Sequence, residues 1–406
     1  MKIAILHYSA PPVVGGVEAV LARHAKLMAS AGHEVRVIAG TGDPFDRRVH
    51  FISIPLLASR HTVVLDAKSE LDKGVIPQGF TNLVSEIKVR LSQALDSVDL
   101  LIAHNVCSLH KNLALTAALH ELSQEEGNPK LIVWHHDLAW TSGRYEGELH
   151  PGYPWDLLRT AWPGVRQVTI SELRRQDLAE LQKTPPEQIE VIPNGLDVAQ
   201  MLKLGSVAAG LVEGLDLLAA APLLLLPVRI TRRKNIELAL RTLAELSERM
   251  PRAKLVITGP LGAHNPANLD YFEELKQLRG DLSLLNTAYF LAEQVEGWLP
   301  DEVIFDLYRV ADALFLPSWE EGFGIPILEA GLAGIPIFCA DIPTLKALAG
   351  DEAVTFPPDA QPEQVATLVQ EGLQANPTYR QRVRVRQNYT WQAIYAQRIA
   401  PLLEAR

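Results

Sequence analysis

The sequence has little of what marks secreted, membrane-spanning or nucleic-acid-binding proteins. Its two cysteines, Cys107 and Cys339, follow or lie in apolar segments without metal-ligand spacing, which predicts buried, reduced thiols. The richest apolar run, LDLLAAAPLLLLPV, is too short to span a bilayer, and the first residues lack the apolar core and cleavage site of a signal peptide. A formal net charge of −10 argues against a nucleic-acid partner. These absences predict a cytoplasmic protein.

What is present is typical of a globular enzyme. The chain of 406 residues is long enough for about two to three domains, each with its own core. Hydrophobic residues make up 48% of the chain and charged residues 21%, which excludes a disordered or fibrous chain. A two-domain protein is the first expectation.

The first half of the chain alternates short apolar strands with helical patterns. Strands are predicted for KIAIL, EVRVIA, DLLIA, KLIVW and RQVTI, and a helix runs from about Gly16 to a stop at Gly32. Strands that are apolar without alternation are covered on both faces. The pattern predicts a parallel sheet with helices on each side.

The pattern restarts after EVIPNGLD, where Pro193, Asn194 and Gly195 interrupt it. Strands are predicted for LLLLPV, KLVIT, ALFLP, IPIFC and AVTF, and helices for Lys234 to Glu248 and Pro362 to Leu373. The fold class is thus α/β, with two Rossmann-like, doubly wound domains of similar size. Ligands of such folds bind at the carboxyl ends of the strands, and we expect the site in a cleft between the domains.

The stretch WEEGFGIPILEAGLAGIP carries the strongest chemical signal. Gly322 and Gly324 allow the backbone to approach a ligand closely, and the helix that follows offers N–H groups to anionic oxygens. Glu321 lies before this helix and Glu329 about one turn inside it, and carboxylates accept hydrogen bonds from paired hydroxyls. The pattern suits a ligand with hydroxyl groups on both sides of a diphosphate. The alternative is an acid that merely stabilises a first helical turn.

A second signal is RITRRKN, in which Arg229 and Lys234 lie across a predicted strand-to-helix turn. A cationic pair at the carboxyl end of a strand can neutralise a diphosphate leaving group. A charged loop with helix capping is an alternative of equal weight.

The run YRQRVRVRQ is strongly basic. Its arginines, at alternate positions from Arg380 to Arg386, fall in a helical pattern. We interpret the run as a solvated helix face and not as an anion site.

Together, four motifs resemble those of the retaining glycosyltransferases of family 4, the glycosyl transferases group 1: EGFGIPILE, RITRRK, VIPNGLD and the amino-terminal PPVVGGVEAVLARHAKLMASAGHEVRV. The resemblance extends to a carboxy-terminal YTWQAIYAQRIAPLLE. It implies the GT-B architecture, with residues 1–195 as the acceptor-side domain and residues 196–385 as the nucleotide-sugar donor domain. Residues 386–406 would form a helix that crosses back to the first domain.

The resemblance implies roles for residues of the second domain. Glu321 would face the hydroxyls of the donor sugar and Glu329 the nucleotide ribose, while Arg229 and Lys234 would hold the diphosphate. Backbone amides near the sugar and phosphate would come from Gly322, Phe323 and Gly324.

In the first domain, the resemblance implies that Gly15 and Gly16 approach the donor phosphate, although a tight turn that needs two glycines explains them equally well. The strand IVWHHDLAW ends in His135, His136 and Asp137. Family members often have a histidine here that contacts the donor sugar, and His136, next to Asp137, matches best. Only one of the two histidines points inward if the strand continues, and a structural role for both is the alternative.

The implied reaction moves a hexose from a nucleoside diphosphate sugar to an acceptor, with retention at the anomeric carbon. Glu321, His136, Arg229 and Lys234 would be the catalytic residues. The sequence has no Asp-x-Asp motif, and the implied enzyme needs no metal and no cofactor besides its donor substrate. A nucleotide-sugar epimerase of the same fold and a non-catalytic nucleotide-sugar-binding protein are the alternatives; product analysis and turnover distinguish them.

Several properties are left open by the sequence. The donor is a UDP-, GDP- or ADP-sugar, and the sugar, the acceptor and the oligomeric state are undetermined. Variable loops over residues 40–80 and 138–160 are expected to contact the acceptor; the aromatic residues of the second loop either stack on a sugar or, as we favour, pack in the core. Peripheral membrane contact has no support in the sequence.

Overall fold

The computed structural model describes residues 1–260, 267–295 and 299–404. The chain forms two compact units. The first comprises Met1–Gly195 and Ile394–Arg406, and the second comprises Leu196–Ala393. Each unit has its own parallel sheet with helices on both faces, so the predicted α/β class with two Rossmann-like, doubly wound domains is confirmed. The predicted cleft between them stays a prediction.

The first unit is built on a seven-stranded sheet in the order β3-β2-β1-β4-β5-β6-β7. Neighbouring strands pair in parallel. The strands are β1 Lys2–Ser9, β2 Glu34–Thr41, β3 Val49–Ser53, β4 Leu100–His104, β5 Lys130–His135, β6 Arg166–Thr169 and β7 Ile189–Val191. The order of the strands reverses between β1 and β4, which defines the switch point of this sheet.

Helices cover both faces of the first sheet. They are α1 Gly16–Ser30, α2 Thr62–Leu71, α3 Phe80–Ala94, α4 Leu113–Ser123 and α5 Glu172–Gln182. Successive residues of β1 point to opposite faces, so that Ile3 and Ile5 belong to one buried cluster and Ala4 and Leu6 to the other. This two-sided burial explains why the strands read as continuous apolar runs.

The segment over residues 40–80 is more ordered than predicted. The sequence led us to expect variable loops there, but the structure forms β3 and α2. Strand β3, VHFIS, is a short edge strand with a mixed burial pattern, so its sequence lacks the apolar run that identified the central strands. In the second loop, over residues 138–160, Trp155 is buried against the core, which confirms core packing for that ring.

The second unit has a six-stranded sheet in the order β10-β9-β8-β11-β12-β13. Its strands are β8 Leu223–Leu226, β9 Lys254–Ile257, β10 Ala288–Phe290, β11 Ala313–Leu316, β12 Ile337–Ala340 and β13 Val354–Phe356. Its helices are α6 Val198–Met201, α7 Ser206–Gly214, α8 Ile236–Arg249, α9 Ala267–Asp281, α10 Asp301–Val310, α11 Ile325–Ala333, α12 Pro343–Ala349, α13 Pro362–Ala375 and α14 Pro377–Asn388. The switch point lies between β8 and β11.

The chain ends in α15 Trp391–Ile394, a π-helical turn Tyr395–Ile399 and α16 Ala400–Glu404. Ile399 and Leu402 are buried in the core of the first unit beside β1 and α1. Arg166 of β6 donates a hydrogen bond to the Leu402 carbonyl (2.9 Å). The last residues are therefore part of the first unit. Within the described ranges, no helix is long and apolar enough to cross a bilayer.

Helix α8 begins later than predicted. The sequence suggested a start at Lys234, but Asn235 adopts a left-handed conformation (φ 52°) and the helix begins at Ile236. A left-handed residue cannot continue a right-handed helix. Lys234 therefore lies in the turn after β8, where it can point towards the strand ends.

The interpretation of the basic run as a solvated helix face is wrong for Arg386. Arg380 and Arg384 are exposed on α14, but Arg386 is buried and forms an ion pair with the buried Asp312 (Nη2 to Oδ2, 2.5 Å). It also donates to the carbonyl of Ala220 (3.0 Å). Two residues along a helix turn the side chain by about 200°, so alternate arginines cannot share one face.

Both predicted buried cysteines are buried. Burial raises the pKa of the Cys339 thiol to about 11, with a smaller contribution from the Asp341 carboxylate. Cys107, buried in the first unit, also has a raised thiol pKa because of its burial. Neither cysteine is a reactive thiolate at neutral pH.

Replacing Arg386 should destabilise the second unit. Arg386→Met leaves the Asp312 carboxylate buried without its cation, and we expect a loss of about 3 kcal/mol in the free energy of unfolding. Urea-dependent hydrogen exchange of strands β8 and β11 measures this loss. The matched control Arg384→Met removes an exposed arginine of the same helix and should change stability by no more than about 0.5 kcal/mol. Equal effects of the two variants would contradict the assignment.

Candidate functional site

The loops at the switch point of the second sheet carry most of the predicted site. Arg229 and Lys234 follow β8, and the residues from Glu321 to Gly324 follow β11. Because the two strands are neighbours and parallel, both loops lie at the carboxyl edge of the sheet. The structure thus brings together two motifs that are about ninety residues apart in the sequence.

The helix after the second loop begins as predicted. Gly324 has a positive φ of 96°, and a Cβ at this position would lie 2.8 Å from Leu345 Cδ2. Pro326 occupies the first turn of α11, as expected, and Glu329 lies about one turn inside the helix. Gly322 has open space around its Cα. Gly324 is therefore required by the fold, whereas Gly322 leaves room beside the amino end of α11.

Lys234 and Glu321 form a buried ion pair at this edge. Lys234 Nζ lies 2.6 Å from Glu321 Oε1, and each side chain is only 8% exposed. Ser318 Oγ donates to the same carboxylate oxygen (2.8 Å). Burial lowers the pKa of the Lys234 ammonium, although Glu321 opposes the shift. The sequence suggested that Lys234 acts with Arg229; the structure gives it a carboxylate partner.

Asn235 is a residue of the site that sequence reasoning missed. Its left-handed backbone directs its side-chain amide to the carbonyls of Pro317 (3.1 Å) and Pro358 (2.9 Å). Trp319 N–H donates to the Arg233 carbonyl (2.9 Å). These bonds join the turn after β8 to the loops after β11 and β13 and so fix Lys234. The sequence feature that could have indicated this role is an asparagine directly before a helical pattern, because asparagine tolerates the left-handed conformation.

Arg229 and Glu329 line one cavity of about 250 Å³ in the second unit. The side chain of Arg229 is exposed. Glu329 accepts a hydrogen bond from the Tyr308 hydroxyl (2.7 Å). Burial, with the Glu329 carboxylate, raises the pKa of Tyr308 well above its usual range. The lining residues are Pro227, Val228, Arg229, Thr258, Gly259, Pro260, Leu299, Asp301, Ile304, Ile325, Pro326 and Glu329.

Tyr308 and Gly259 were also missed from the sequence. Tyr308 orients Glu329 from α10, and no motif marks it. Gly259 follows β9, and a Cβ there would lie 1.7 Å from the Val228 carbonyl oxygen. Only glycine permits this approach of two backbones beside the cavity. The signal was a glycine at the end of the apolar run KLVIT.

In the first unit, histidines cluster at the carboxyl ends of β1, β4 and β5. His136 Nε2 and His104 Nδ1 share a hydrogen bond (3.1 Å), and His7 Nδ1 donates to the His104 carbonyl (2.8 Å). His135 instead donates to Gln167 Oε1 (2.6 Å) on the neighbouring strand. The structure thus separates the doubled histidines: His136 belongs to the histidine cluster and His135 to the sheet.

The histidine cluster is uncharged at neutral pH. Burial lowers the pKa of His136 to about 4, with a further contribution from His7. Burial also lowers the pKa of His135 to about 4 and that of His104 well below its usual range. Neutral imidazoles can donate and accept hydrogen bonds, so His136 can meet a hydroxyl group but supplies no charge.

Asn105 organises the loop that carries His136 and Asp137. Its backbone is left-handed (φ 61°), and its Oδ1 accepts from the backbone N–H groups of His136 (3.0 Å) and Asp137 (2.9 Å). Its Nδ2 donates to Asp137 Oδ2 (3.1 Å). Asn105 follows β4 at the switch point of the first sheet, and it was missed because single asparagines after strands are common in turns.

Gly15 and Gly16 have different surroundings. A Cβ at Gly15 would lie 2.0 Å from Glu18 Oε2, and Glu18 is held by the Ser9 hydroxyl (2.6 Å). The space around Gly16 is open. A Cβ at Gly15 would therefore displace only the end of a flexible side chain, while Gly16 has room for a ligand.

An ionic cluster in the first unit joins α2 to the turn that ends at Glu148. Asp72, His110 and Glu148 lie close enough to hold a metal ion, and they are the one such group among the residues that the structure describes. Lys68 Nζ, however, lies 2.6 Å from Asp72 Oδ2 and 2.8 Å from Glu148 Oε2. The ammonium group balances the two carboxylates, so we interpret the cluster as an ion-pair network.

Comparison with known proteins agrees with this architecture. The family model Glycosyltransferase Family 4 matches residues 14–200, and the model Glycosyl transferases group 1 matches residues 219–389. Together they account for both doubly wound units and identify the chain as a glycosyltransferase. The chain belongs to the family 4, group 1 glycosyltransferases.

Individual relatives are distant. The mannosylglucosylglycerate synthase of Petrotoga mobilis is 26% identical over 371 residues, which cover 85% of this chain and 84% of that protein. The D-inositol 3-phosphate glycosyltransferase of Nocardia farcinica is 30% identical over 191 residues, or 46% of this chain and 40% of that protein. The solved sucrose-phosphate synthase of Thermosynechococcus elongatus is 18% identical over 99% of this chain and 98% of that chain, with a TM-score of 0.37.

The first unit should lose stability in acid. Folded His135 and His136 have pKa values of about 4, whereas in the unfolded chain they bind protons below the ordinary value of 6.5. Their contribution is therefore complete above pH 6.5 and is lost as the pH falls towards 4. Hydrogen exchange of β5, followed from about pH 7 to about pH 4.5, should show this loss.

A histidine variant tests the origin of that loss. His135→Gln removes one titrating group and should make the pH dependence shallower. His50→Gln, which changes an exposed histidine of β3, should leave the dependence as it is. A first unit that is equally stable at both pH values would exclude the linkage.

Proposed function

We propose that the protein transfers a hexose from a nucleoside diphosphate sugar to a hydroxyl group of an acceptor, with retention at the anomeric carbon. The observation that carries the proposal is the buried Lys234–Glu321 ion pair at the amino end of α11. An ammonium group beside a helix amino terminus suits a diphosphate, and an adjacent carboxylate suits sugar hydroxyls. Family membership supplies the class of reaction.

The second unit would bind the donor substrate. The diphosphate lies between Arg229, Lys234 and the N–H groups near Gly322, Phe323 and Gly324. Its negative charge takes the place of Glu321 as the main partner of Lys234, and Glu321 then accepts hydrogen bonds from the sugar. Glu329, already oriented by Tyr308, accepts hydrogen bonds from the two ribose hydroxyls. Each carboxylate therefore has a hydroxyl ligand and each cation a phosphate.

The chemical step needs stabilisation of a leaving group. The bond between the anomeric carbon and the diphosphate oxygen breaks, and a bond forms from the acceptor oxygen to the same face of that carbon. The acceptor proton passes to the departing diphosphate oxygen. Arg229, Lys234 and the amino end of α11 stabilise the charge that develops on the diphosphate. We assign no covalent nucleophile, and these cations supply the charge that a metal ion provides in other transferases.

In the first unit, we propose that His136 contacts the donor sugar and that Gly16 leaves room for the donor phosphate. A neutral imidazole suits a sugar hydroxyl, because it can donate or accept a hydrogen bond without a charge that competes with the diphosphate.

The names of two relatives suggest a class of acceptor. One matching relative is a mannosylglucosylglycerate synthase and another is a D-inositol 3-phosphate glycosyltransferase. Both names describe small, polar, hydroxylated molecules. We therefore propose a small hydroxylated acceptor, and a panel of polyols, sugar acids and sugar phosphates is the first screen. Transfer that continues in EDTA supports the metal-independent step, and the configuration of the product shows whether the anomeric centre is retained.

Lys234→Ala should lower turnover by about two to three orders of magnitude, because the leaving diphosphate loses a preorganised cation. The measurement is the release of nucleoside diphosphate from the donor, with circular dichroism to confirm folding. Arg241→Ala, which removes an exposed arginine of the following helix, is the control and should retain full turnover. Near-normal turnover of Lys234→Ala removes this residue from the mechanism.

Glu329→Ala should weaken binding of the nucleoside diphosphate by about ten-fold or more, because two hydroxyl groups lose a charged acceptor. Isothermal calorimetry measures the change. Tyr308→Phe keeps the carboxylate but removes its orienting hydroxyl, so a smaller loss is expected. The ribose role is excluded if the affinity of Glu329→Ala equals that of the unchanged protein.

A further inference from the structure

The cavity of the second unit contains one charged side chain that the proposed function leaves unused. Asp301 lines the cavity at the start of α10, together with Arg229 and Glu329. Two carboxylates and one guanidinium thus face the same volume of about 250 Å³. An anionic group of a ligand is favoured near Arg229 and disfavoured near Asp301. The positive charge of Arg229 and the negative charge of Asp301 therefore favour one orientation of a charged ligand in the cavity.

Helix α10 forms one side of this cavity and carries both Asp301 and Tyr308, the residue that holds Glu329. Asp301, Ile304 and Tyr308 are spaced i, i+3 and i+7, so they share one face of the helix. Asp301 and Ile304 line the cavity, and the Tyr308 hydroxyl holds Glu329. Two turns of helix place Asp301 about 10 Å from Tyr308 along the axis.

The walls between the two carboxylates are apolar. They are formed by Val228, Leu299, Ile304, Ile325 and the ring of Pro260. A flat heterocycle fits such walls, since apolar side chains cover its faces and polar groups meet its edge. With the ribose at Glu329 and the diphosphate at Arg229, the edge of the base points towards Asp301.

We propose that Asp301 selects guanine, so that the donor substrate is a GDP-sugar. This inference rests on the proposed function, because it assumes that the cavity binds the nucleoside of the donor. An ionised carboxylate accepts hydrogen bonds and donates none. The outer edge of guanine presents two neighbouring donors, N1–H and the N2 amino group, which match the two carboxylate oxygens.

The other bases fit this carboxylate less well. Uracil offers one N–H flanked by two carbonyl oxygens, and those oxygens repel a carboxylate. Adenine offers an amino group beside the N1 acceptor, so only one of the two oxygens finds a donor. A ligand that leaves one carboxylate oxygen without a donor forms fewer hydrogen bonds and binds less tightly. Asp301 therefore favours GDP over UDP and ADP.

Calorimetry with GDP, UDP and ADP tests the assignment. The unchanged protein should bind GDP at least about ten-fold more tightly than either of the others. Asp301→Asn keeps the shape but loses an acceptor, and Asp301→Ala removes both oxygens; each should weaken GDP about ten-fold and should not weaken UDP or ADP. Glu302→Gln is the matched control, because Glu302 is an exposed acid in the same first turn and does not line the cavity. It should leave all three affinities unchanged.

The outcomes separate this inference from the proposed function. Tighter binding of UDP or ADP that still depends on Glu329 overturns the guanine assignment and leaves the proposed function standing. An unchanged GDP preference in both Asp301 variants overturns the role of Asp301. If none of the three nucleotides binds, or if Glu329→Ala has no effect on any of them, the nucleoside site itself is wrong and both proposals fall. Thermal unfolding of each variant confirms that the second unit is folded.

Discussion

Parallel pairing of the strands is the constraint on which the rest of the structure depends. It places the loop after every strand at one edge of its sheet, and the strand order reverses at a single point where two of these loops separate. In the second unit these are the loops after β8 and β11, and in the first unit those after β1 and β4. The ion pair of Lys234 with Glu321, Arg229 and the start of α11 all lie at these loops of the second unit, and the histidine cluster lies at the corresponding edge of the first sheet.

Charged groups at the edge of the second sheet are already satisfied within the protein. Lys234 has Glu321 as its partner, and Glu329 has the Tyr308 hydroxyl. Burial of an unpaired ammonium or carboxylate is costly, and these partners offset that cost. A ligand must therefore supply equivalent partners to replace them. A simple inorganic anion offers charge without hydroxyl groups, so it satisfies the lysine but not the glutamate.

The sequence predicted the central strands, the class of fold and the position of helix α11. These features follow from apolar periodicity and glycine placement, which are local properties. It did not predict the burial of Arg386, because the partner Asp312 lies 74 residues away and only tertiary packing joins them. The roles of Asn235 and Asn105 depend on left-handed backbone conformations and on carbonyls of other loops. Contacts between distant segments do not produce a periodic pattern in the sequence.

The side-chain pairs of the candidate site were not predicted for the same reason. A motif search pairs Glu321 with Glu329 and Arg229 with Lys234, since each pair is close in the chain. The structure instead pairs Lys234 with Glu321 and places Arg229 with Glu329 around one cavity. Sequence proximity suggested which side chains act together, but the spacing of two parallel strands decides the partner of each.

The two units are interleaved along the chain, because the second is inserted into the first. The ends of the insertion adjoin: Leu196 N–H donates to the Tyr389 carbonyl, and the Leu196 carbonyl accepts from Trp391 N–H. Ile399 and Leu402 then complete a core that begins with Ile3. During synthesis, the first unit cannot close its core until Ile399 and Leu402 have left the ribosome. The second unit begins later in the chain, but it can therefore complete its fold before the first unit does.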